Sequence, residues 1–273
     1  MNVLLFKTRI RNKYTICTFF VVFAFGLVSW LMGSEIIPVL WSYGPDVSCS
    51  YKEYVLFMWD QLLCWEIYMD SLMRYIVHVF PIILGFCVSG FVDEVNTFYV
   101  VGANRIGNRR RSLAKSMAVY SITGGLVTVV PLIIMTIAVD YLMYPSLSGL
   151  GGIGTIFPEN FYSEHPLTVF ITMMLILYIP LACAYALLSL AVGLITRDKI
   201  KMILIPEAIY IIMNYINMLT KGGSKTSAAD IIISYNTSST FEKLIIELVV
   251  NIILALICAV IALQMDKHKR VII

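Results

Sequence analysis

Six stretches of the sequence are apolar over the length that an α-helix needs to cross a lipid bilayer. The hydrocarbon core is about 30 Å thick, which requires roughly 20 apolar residues of helix. The stretches cover 14–33, 73–92, 116–142, 168–195, 202–219 and 243–265. Because a backbone away from water must form its hydrogen bonds internally, each stretch is predicted to be a transmembrane helix. We therefore expect residues 1–273 to form a single all-α, polytopic transmembrane domain.

The composition agrees with this prediction. The mean hydropathy is +0.85, and 59% of the residues are hydrophobic while only 14% are charged. Soluble domains carry about 25% charged residues, so a soluble class is excluded. The net charge of +3 gives no sign of nucleic-acid binding, and membrane lipids are the expected surroundings.

The start of the chain has some features of a secretory signal, since four basic residues precede the first stretch: Lys7, Arg9, Arg11 and Lys13. The apolar run is longer than a signal-peptide core, and no clear small-x-small cleavage site follows it. We interpret the first stretch as a retained signal anchor.

Basic residues are concentrated in alternate connections. Fifteen of the 20 Lys and Arg residues lie before the first stretch, in 93–115, in 196–201 or after the last stretch. Cytoplasmic loops carry such an excess, so the positive-inside rule places these segments and both termini in the cytoplasm.

The connection 93–115 has an ordered pattern. Acidic and aromatic residues come first and basic residues follow: Asp93, Glu94, Phe98, Tyr99, Arg105, Arg109, Arg110, Arg111 and Lys115. Acidic residues early and basic residues late suit a helix dipole, so we expect a short helix and then an Arg-rich turn. Two roles stay open: fixing the orientation of the neighbouring spans at the lipid head groups, or docking a partner protein.

The connection 34–72, expected outside the cell, contains an amphipathic pattern. Apolar residues recur at spacings of three and four from Tyr51 to Leu72, while Asp60 and Glu66 argue against a span. The pattern predicts a helix over 51–72 that lies on the outer leaflet or caps the bundle. A re-entrant segment is the alternative.

Several polar residues fall within the predicted spans: His78, Glu207, Asn214, Glu247 and Asn251. Polar groups in the bilayer are costly and are often functional. We favour hydrogen bonds between helices as their role, with a substrate or proton path as the alternative.

Motifs for chemistry within this chain are missing. The string GGSKT at 222–226 lacks P-loop spacing, and GLGGIG at 149–154 has no preceding strand to make it a dinucleotide site. His78, His165 and His268 are too scattered for a metal site. No catalytic group, cofactor or metal is therefore expected in this chain, which we do not interpret as an enzyme.

Two of the six cysteines, Cys49 and Cys64, share the connection expected outside the cell. They could form a disulfide in an oxidising exterior or remain thiols. The other four, Cys17, Cys87, Cys183 and Cys258, fall within spans and are expected to be packing residues.

The chain resembles the type-2 ATP-binding-cassette (ABC) permeases, whose membrane domains have six spans and both termini inside. The resemblance rests on the order Asp93-Glu94, Phe98-Tyr99, Arg105, Arg109-Arg110-Arg111 and Ala114-Lys115. It implies that 93–115 is a coupling helix that docks into an ATPase subunit, and that ATP and Mg bind to that partner. It also implies a second permease subunit and an N-terminal interfacial helix over MNVLLFKTRIRNKY.

The function that this resemblance implies is a permease subunit of an ABC transporter in the bacterial plasma membrane. We expect the transporter to export a lipid-like or peptide substrate. Export of an antimicrobial peptide, or immunity to one, falls within this expectation. The alternatives are a membrane sensor or immunity protein that transports nothing, and a proton-coupled secondary carrier that uses Glu207 and Glu247.

Overall fold

The computed structural model describes most of the chain: residues 12–34, 36–41, 50–62, 64–97, 109–142, 161–220, 226–234 and 240–268. The segment expected to form the N-terminal interfacial helix lies almost wholly outside these ranges, as do Cys49 and GLGGIG. No strand occurs in the described ranges, and the prediction of an all-α chain is confirmed for them.

Six of the described helices are long and apolar enough to cross a membrane, as the sequence predicted. We number them α1 (Lys13–Gly33), α2 (Trp65–Asn96), α3 (Arg109–Leu142), α4 (Pro166–Thr196), α5 (Lys199–Leu219) and α6 (Phe241–His268). Within the described ranges, the shorter helices are Ile36–Trp41, Tyr51–Leu62, Phe161–Glu164 and Ala228–Ile232.

Two of the long helices contain local irregularities with a physical cause. In α2, a turn at Val88 and Ser89 separates Trp65–Cys87 from Gly90–Asn96, and the Ser89 hydroxyl donates to the carbonyl of Phe86 at 2.8 Å. In α4, Met174–Tyr178 is a π-helical turn just before Pro180. Proline has no N–H and its ring clashes with the carbonyl four residues earlier, which a wider turn relieves.

Helix α4 is the centre of the bundle and packs against α2, α3, α5 and α6. Small residues allow this close packing: Ala182, Ala186 and Ala191 are fully buried. On α3, a Cβ added at Gly125 would lie 2.5 Å from the sulfur of Cys183, so only glycine fits there. Close backbone approach through small residues is a common way for membrane helices to associate.

Helices α4 and α5 are joined by a tight connection. Arg197 has φ 56°, the left-handed conformation that often ends a helix. Asp198 then caps α5, because its Oδ1 accepts the N–H of Ile200 at 2.8 Å and of Lys201 at 3.4 Å. The two helices therefore run antiparallel, with their joined ends at one end of the bundle.

The prediction of an amphipathic helix over 51–72 is wrong for the second half of that range. A helix does span Tyr51–Leu62, but α2 begins at Trp65. Trp65, Met69 and Leu72 are almost completely buried in the bundle. A spacing of three and four is the same for a helix face on lipid and for one on other helices, so the pattern could not separate the two.

The structure also corrects the local conformation expected for 93–115. A short helix is present as expected, but it spans Gly90–Asn96, so it begins three residues before Asp93 and continues α2 after the turn at Val88 and Ser89. Arg109, Arg110 and Arg111 form the first turn of α3, where a turn outside the helix was predicted. Phe98, Tyr99 and Arg105 lie outside the described residues.

Candidate functional site

All six long helices have one end in a common charged region, which we call the basic end. It comprises the start of α1, the end of α2, the start of α3, the end of α4, the start of α5 and the end of α6. Ion pairs join these ends across the bundle, from α3 to α6 and from α2 to α5. The segments that the sequence assigned to one side of the membrane are therefore together at one end.

The first of these ion pairs is buried. Nε of Arg109 donates to Oδ2 of Asp266 at 3.0 Å, and Nη2 donates to Oδ1 at 3.1 Å. The side chains are only 10% and 8% exposed. Arg109 is a cation at the N-terminus of α3, and Asp266 is an anion near the C-terminus of α6. The helix dipole disfavours each charge at its position, so each side chain needs an opposite charge nearby. Arg197 adds a longer contact to Asp266 at 3.7 Å.

The second ion pair joins α2, α5 and α1. Nζ of Lys199 lies 2.6 Å from Oδ1 of Asp93 and donates to Oδ2 at 2.8 Å. The same ammonium donates to the hydroxyl of Tyr14 at 2.8 Å and lies 4.9 Å from the centre of its ring. One lysine thus holds the beginning of α1 and the end of α2 to the start of α5.

Two further hydrogen bonds attach the end of α2 to its neighbours, α3 and α4. The hydroxyl of Ser116 donates to Oε1 of Glu94 at 3.2 Å, and Nδ2 of Asn96 donates to the carbonyl of Arg197 at 3.3 Å. Both flanks of the connection 98–108 are therefore attached to other helices.

The predicted docking residues do not share one environment. Arg109 is directed into the bundle by Asp266, whereas Arg110, Arg111 and Lys115 are exposed. Sequence reasoning grouped the three arginines and missed Asp266 altogether. The available signal was an acidic residue in a segment where nearly every other charge is positive.

The opposite end of the bundle contains a polar network centred on Asp230. Its carboxylate accepts from Nδ2 of Asn217 at 3.1 and 3.2 Å, and from the hydroxyl of Ser227 at 2.9 Å. It also accepts from Nζ of Lys243 at 3.0 Å. The predicted polar residue Asn214 joins the network, because its Oδ1 accepts the backbone N–H of Ala229 at 3.3 Å and lies 3.3 Å from the hydroxyl oxygen of Ser227.

Glu247 and Asn251 extend this network into α6. Asn251 accepts from the Tyr185 hydroxyl at 3.2 Å and donates to the carbonyl of Glu247 at 2.8 Å. The Glu247 carboxylate is fully buried, and its nearest charged partner is Lys243 at 3.6 Å. Sequence reasoning found three members of the network, Asn214, Glu247 and Asn251. It did not find Asp230, in the helix between α5 and α6, or Lys243, in the first turn of α6.

The other two predicted polar sites lie outside this network. Glu207 is 8% exposed, and its Oε2 has no hydrogen-bond partner among the described residues. His78 is exposed and lines a cleft of about 740 Å³ between α2 and α5. The ion pair of Arg74 and Asp70, at 2.7 Å, lies on the wall of the same cleft. The volume of this cleft is in the range of small-molecule sites.

Cys64 is partly buried, and burial raises the pKa of its thiol. The pairing predicted for it with Cys49 stays a prediction, since Cys49 is not among the described residues. In the described ranges, no three His, Cys, Asp or Glu side chains are grouped so that they could hold a metal ion.

Comparisons of the chain with protein-family models, with curated proteins and with solved structures find no match.

Proposed function

We propose that the chain is the membrane-spanning permease subunit of a bacterial type-2 ABC exporter, driven by a separate ATPase subunit. In this proposal the basic end faces the cytoplasm, because cytoplasmic segments carry the excess of Lys and Arg. The transporter contains a second permease subunit in the plasma membrane, and ATP and Mg bind to the ATPase. The cargo is lipid-like or a peptide.

One observation carries the proposal: both flanks of the connection 98–108 are attached to other helices. Asp93 binds Lys199, which also holds Tyr14, while Arg109 binds Asp266. A displacement applied to this connection by a partner would therefore reach α1, α5 and α6 directly. Coupling between distant sites is carried by such contiguous networks of charged and packed side chains.

The charge of the exposed residues supports the choice of partner surface. Arg110, Arg111 and Lys115 project from the first turns of α3 and are exposed. An acidic groove on the ATPase would complement them, and charge complementarity gives specificity and speeds association. Arg109 is not expected to touch the partner, because its Nε and Nη2 already donate to the carboxylate of Asp266.

The test is co-purification from native membranes. The wild-type chain is expected to bring down an ATPase subunit that carries a P-loop and hydrolyses ATP in the complex. The double variant Arg110→Glu with Arg111→Glu reverses the exposed charges. It is expected to lower the amount of co-purified ATPase at least tenfold, while the chain still inserts into the membrane. Lys201→Glu is the matched control, since it reverses an exposed cation at the same end in a different connection.

Two results would contradict the proposal. One is a wild-type chain that purifies with no ATPase. The other is a double reversal that leaves both the ATPase and transport at the level of Lys201→Glu.

A further inference from the structure

Two carboxylates at the opposite end of the bundle share one ammonium group. Nζ of Lys243 lies 3.0 Å from Oδ2 of Asp230 and 3.6 Å from Oε1 of Glu247. Lys243 and Glu247 are one helical turn apart on α6, and Asp230 reaches the same point from the helix Ala228–Ile232. If both carboxylates were ionised, the group would have a net negative charge in a largely buried place.

The surroundings of Asp230 favour its ionised form. Besides Lys243, it accepts hydrogen bonds from Asn217 and from the hydroxyl of Ser227. The backbone N–H of Asp230 in turn donates to that hydroxyl at 3.1 Å, which fixes Ser227 in place. A buried carboxylate is tolerated when several donors surround it in this way.

Glu247 has the opposite environment. Its side chain is 0% exposed, and neither carboxylate oxygen makes a hydrogen bond within the described part of the chain, because Nζ of Lys243 is 3.6 Å from Oε1. A buried charge without donors is strongly disfavoured, whereas the neutral acid avoids most of that cost.

Other titratable groups on the surrounding helices do not replace the missing donors. The hydroxyls of Tyr178 and Tyr185 on α4 donate to the carbonyl of Ile232 and to Oδ1 of Asn251. The hydroxyl of Tyr210 on α5 donates to the carbonyl of Val77. Each phenol is directed at another acceptor, so Lys243 and Asp230 are the charged groups that face Glu247 among the described residues.

We propose that Glu247 is a proton-binding site controlled by Lys243. While Lys243 binds Asp230, Glu247 holds a proton as the neutral carboxylic acid. When Glu247 releases that proton to the water at this end of the bundle, the resulting carboxylate competes with Asp230 for the ammonium group. Each proton bound or released therefore changes how tightly the helix Ala228–Ile232 is attached to α6.

Infrared difference spectroscopy of the purified full chain tests this site, because a protonated carboxyl has a C=O stretching band separate from those of carboxylates. The spectra are recorded in a Glu207→Gln background, which removes the other buried carboxyl with an unpartnered oxygen among the described residues. This chain is expected to show the band at neutral pH, and adding Glu247→Gln is expected to remove it. Glu242→Gln, at an exposed position on the same helix, is the matched control and should keep the band. A Glu207→Gln spectrum without the band, or a band that survives when Glu247→Gln is added, would overturn the proposal.

A second variant tests control by the shared lysine. Among the described residues, Asp230→Asn leaves Lys243 with Glu247 as its only carboxylate partner. The band is therefore expected to disappear at neutral pH although Glu247 is intact. A band of unchanged intensity in Asp230→Asn would show that Lys243 does not control the proton. Circular dichroism of each variant verifies that the helices remain folded. Because the proton site is independent of the proposed energy source, these spectra do not depend on whether an ATPase binds.

Discussion

Arg109 and Asp266 are 157 residues apart in the sequence, yet they form a two-point ion pair that joins α3 to α6. Breaking a buried pair by removing one charge leaves the other without compensation and costs about 3 kcal/mol. We predict that Asp266→Asn lowers the free energy of unfolding by this amount, measured by denaturation in detergent. Arg110→Gln, at an exposed position next to Arg109, is expected to change it by less than about 0.5 kcal/mol.

The exchange of the two charges gives a sharper test of the same pair. In Arg109→Asp with Asp266→Arg, the anion lies at the N-terminus of α3 and the cation at the C-terminus of α6, which both helix dipoles favour. The exchanged chain should therefore recover most of the stability that each single variant loses. An exchanged chain as unstable as the sum of its single variants would show that the two residues do not interact.

Helices α3 and α4 approach each other closely at Gly125. A Cβ there would come within 2.5 Å of Cys183 Sγ, and within 3.2 Å of the backbone at Cys183 and Ile179. We predict that Gly125→Ala destabilises the chain by about 1–3 kcal/mol through overpacking, seen as a lower unfolding temperature. Adding Cys183→Ala should recover part of this loss because it removes the sulfur.

A control on the same helix separates packing from helix propensity. Ala118 is exposed on α3, so Ala118→Leu adds more volume without meeting another helix. It is expected to leave the unfolding temperature nearly unchanged. A loss equal to that of Gly125→Ala would count against close packing as the cause.

The sequence was informative where the bilayer itself imposes the pattern. Residues 168–195 were predicted as a span because they are long and apolar, and α4 covers Pro166–Thr196. The start of α2 was missed, because Glu66, Asp70 and Arg74 make its first turns resemble a surface segment. Hydropathy records how often charge occurs but not which face of the helix carries it.

Partners between distant segments could not be predicted from spacing. Lys243 is one of the five basic residues outside the four basic segments, and its place in the sequence gives no sign that it binds Asp230 at 3.0 Å. The place of Lys199 likewise gives no sign of its contacts with Asp93 and Tyr14. These pairs depend on which helices are neighbours, and periodicity within one helix contains no such information.

Cys64 offers a test of the disulfide predicted with Cys49. Because burial raises the pKa of its thiol, less thiolate is present at neutral pH than for an exposed cysteine. In a chain with Cys49→Ser, alkylation of Cys64 by a maleimide should be several-fold slower than that of a cysteine placed at Ser50, and should accelerate over a higher pH range.

In the wild-type chain, a disulfide would make Cys64 reactive only after reduction, as peptide mass spectrometry would show. Equal labelling with and without reductant would contradict the bond.

The orientation of the bundle is tested by labelling from one side of the membrane. Lys52 and Arg110 are exposed and lie in connections that the charge distribution assigns to opposite sides. In a chain whose natural cysteines are replaced, Lys52→Cys should react with a membrane-impermeant maleimide on intact cells. Arg110→Cys should react only after the cells are permeabilised. Both variants should label equally in detergent, which controls for their intrinsic reactivity. The reverse pattern would place the basic end outside the cell, where no ATPase subunit could reach Arg110 and Arg111.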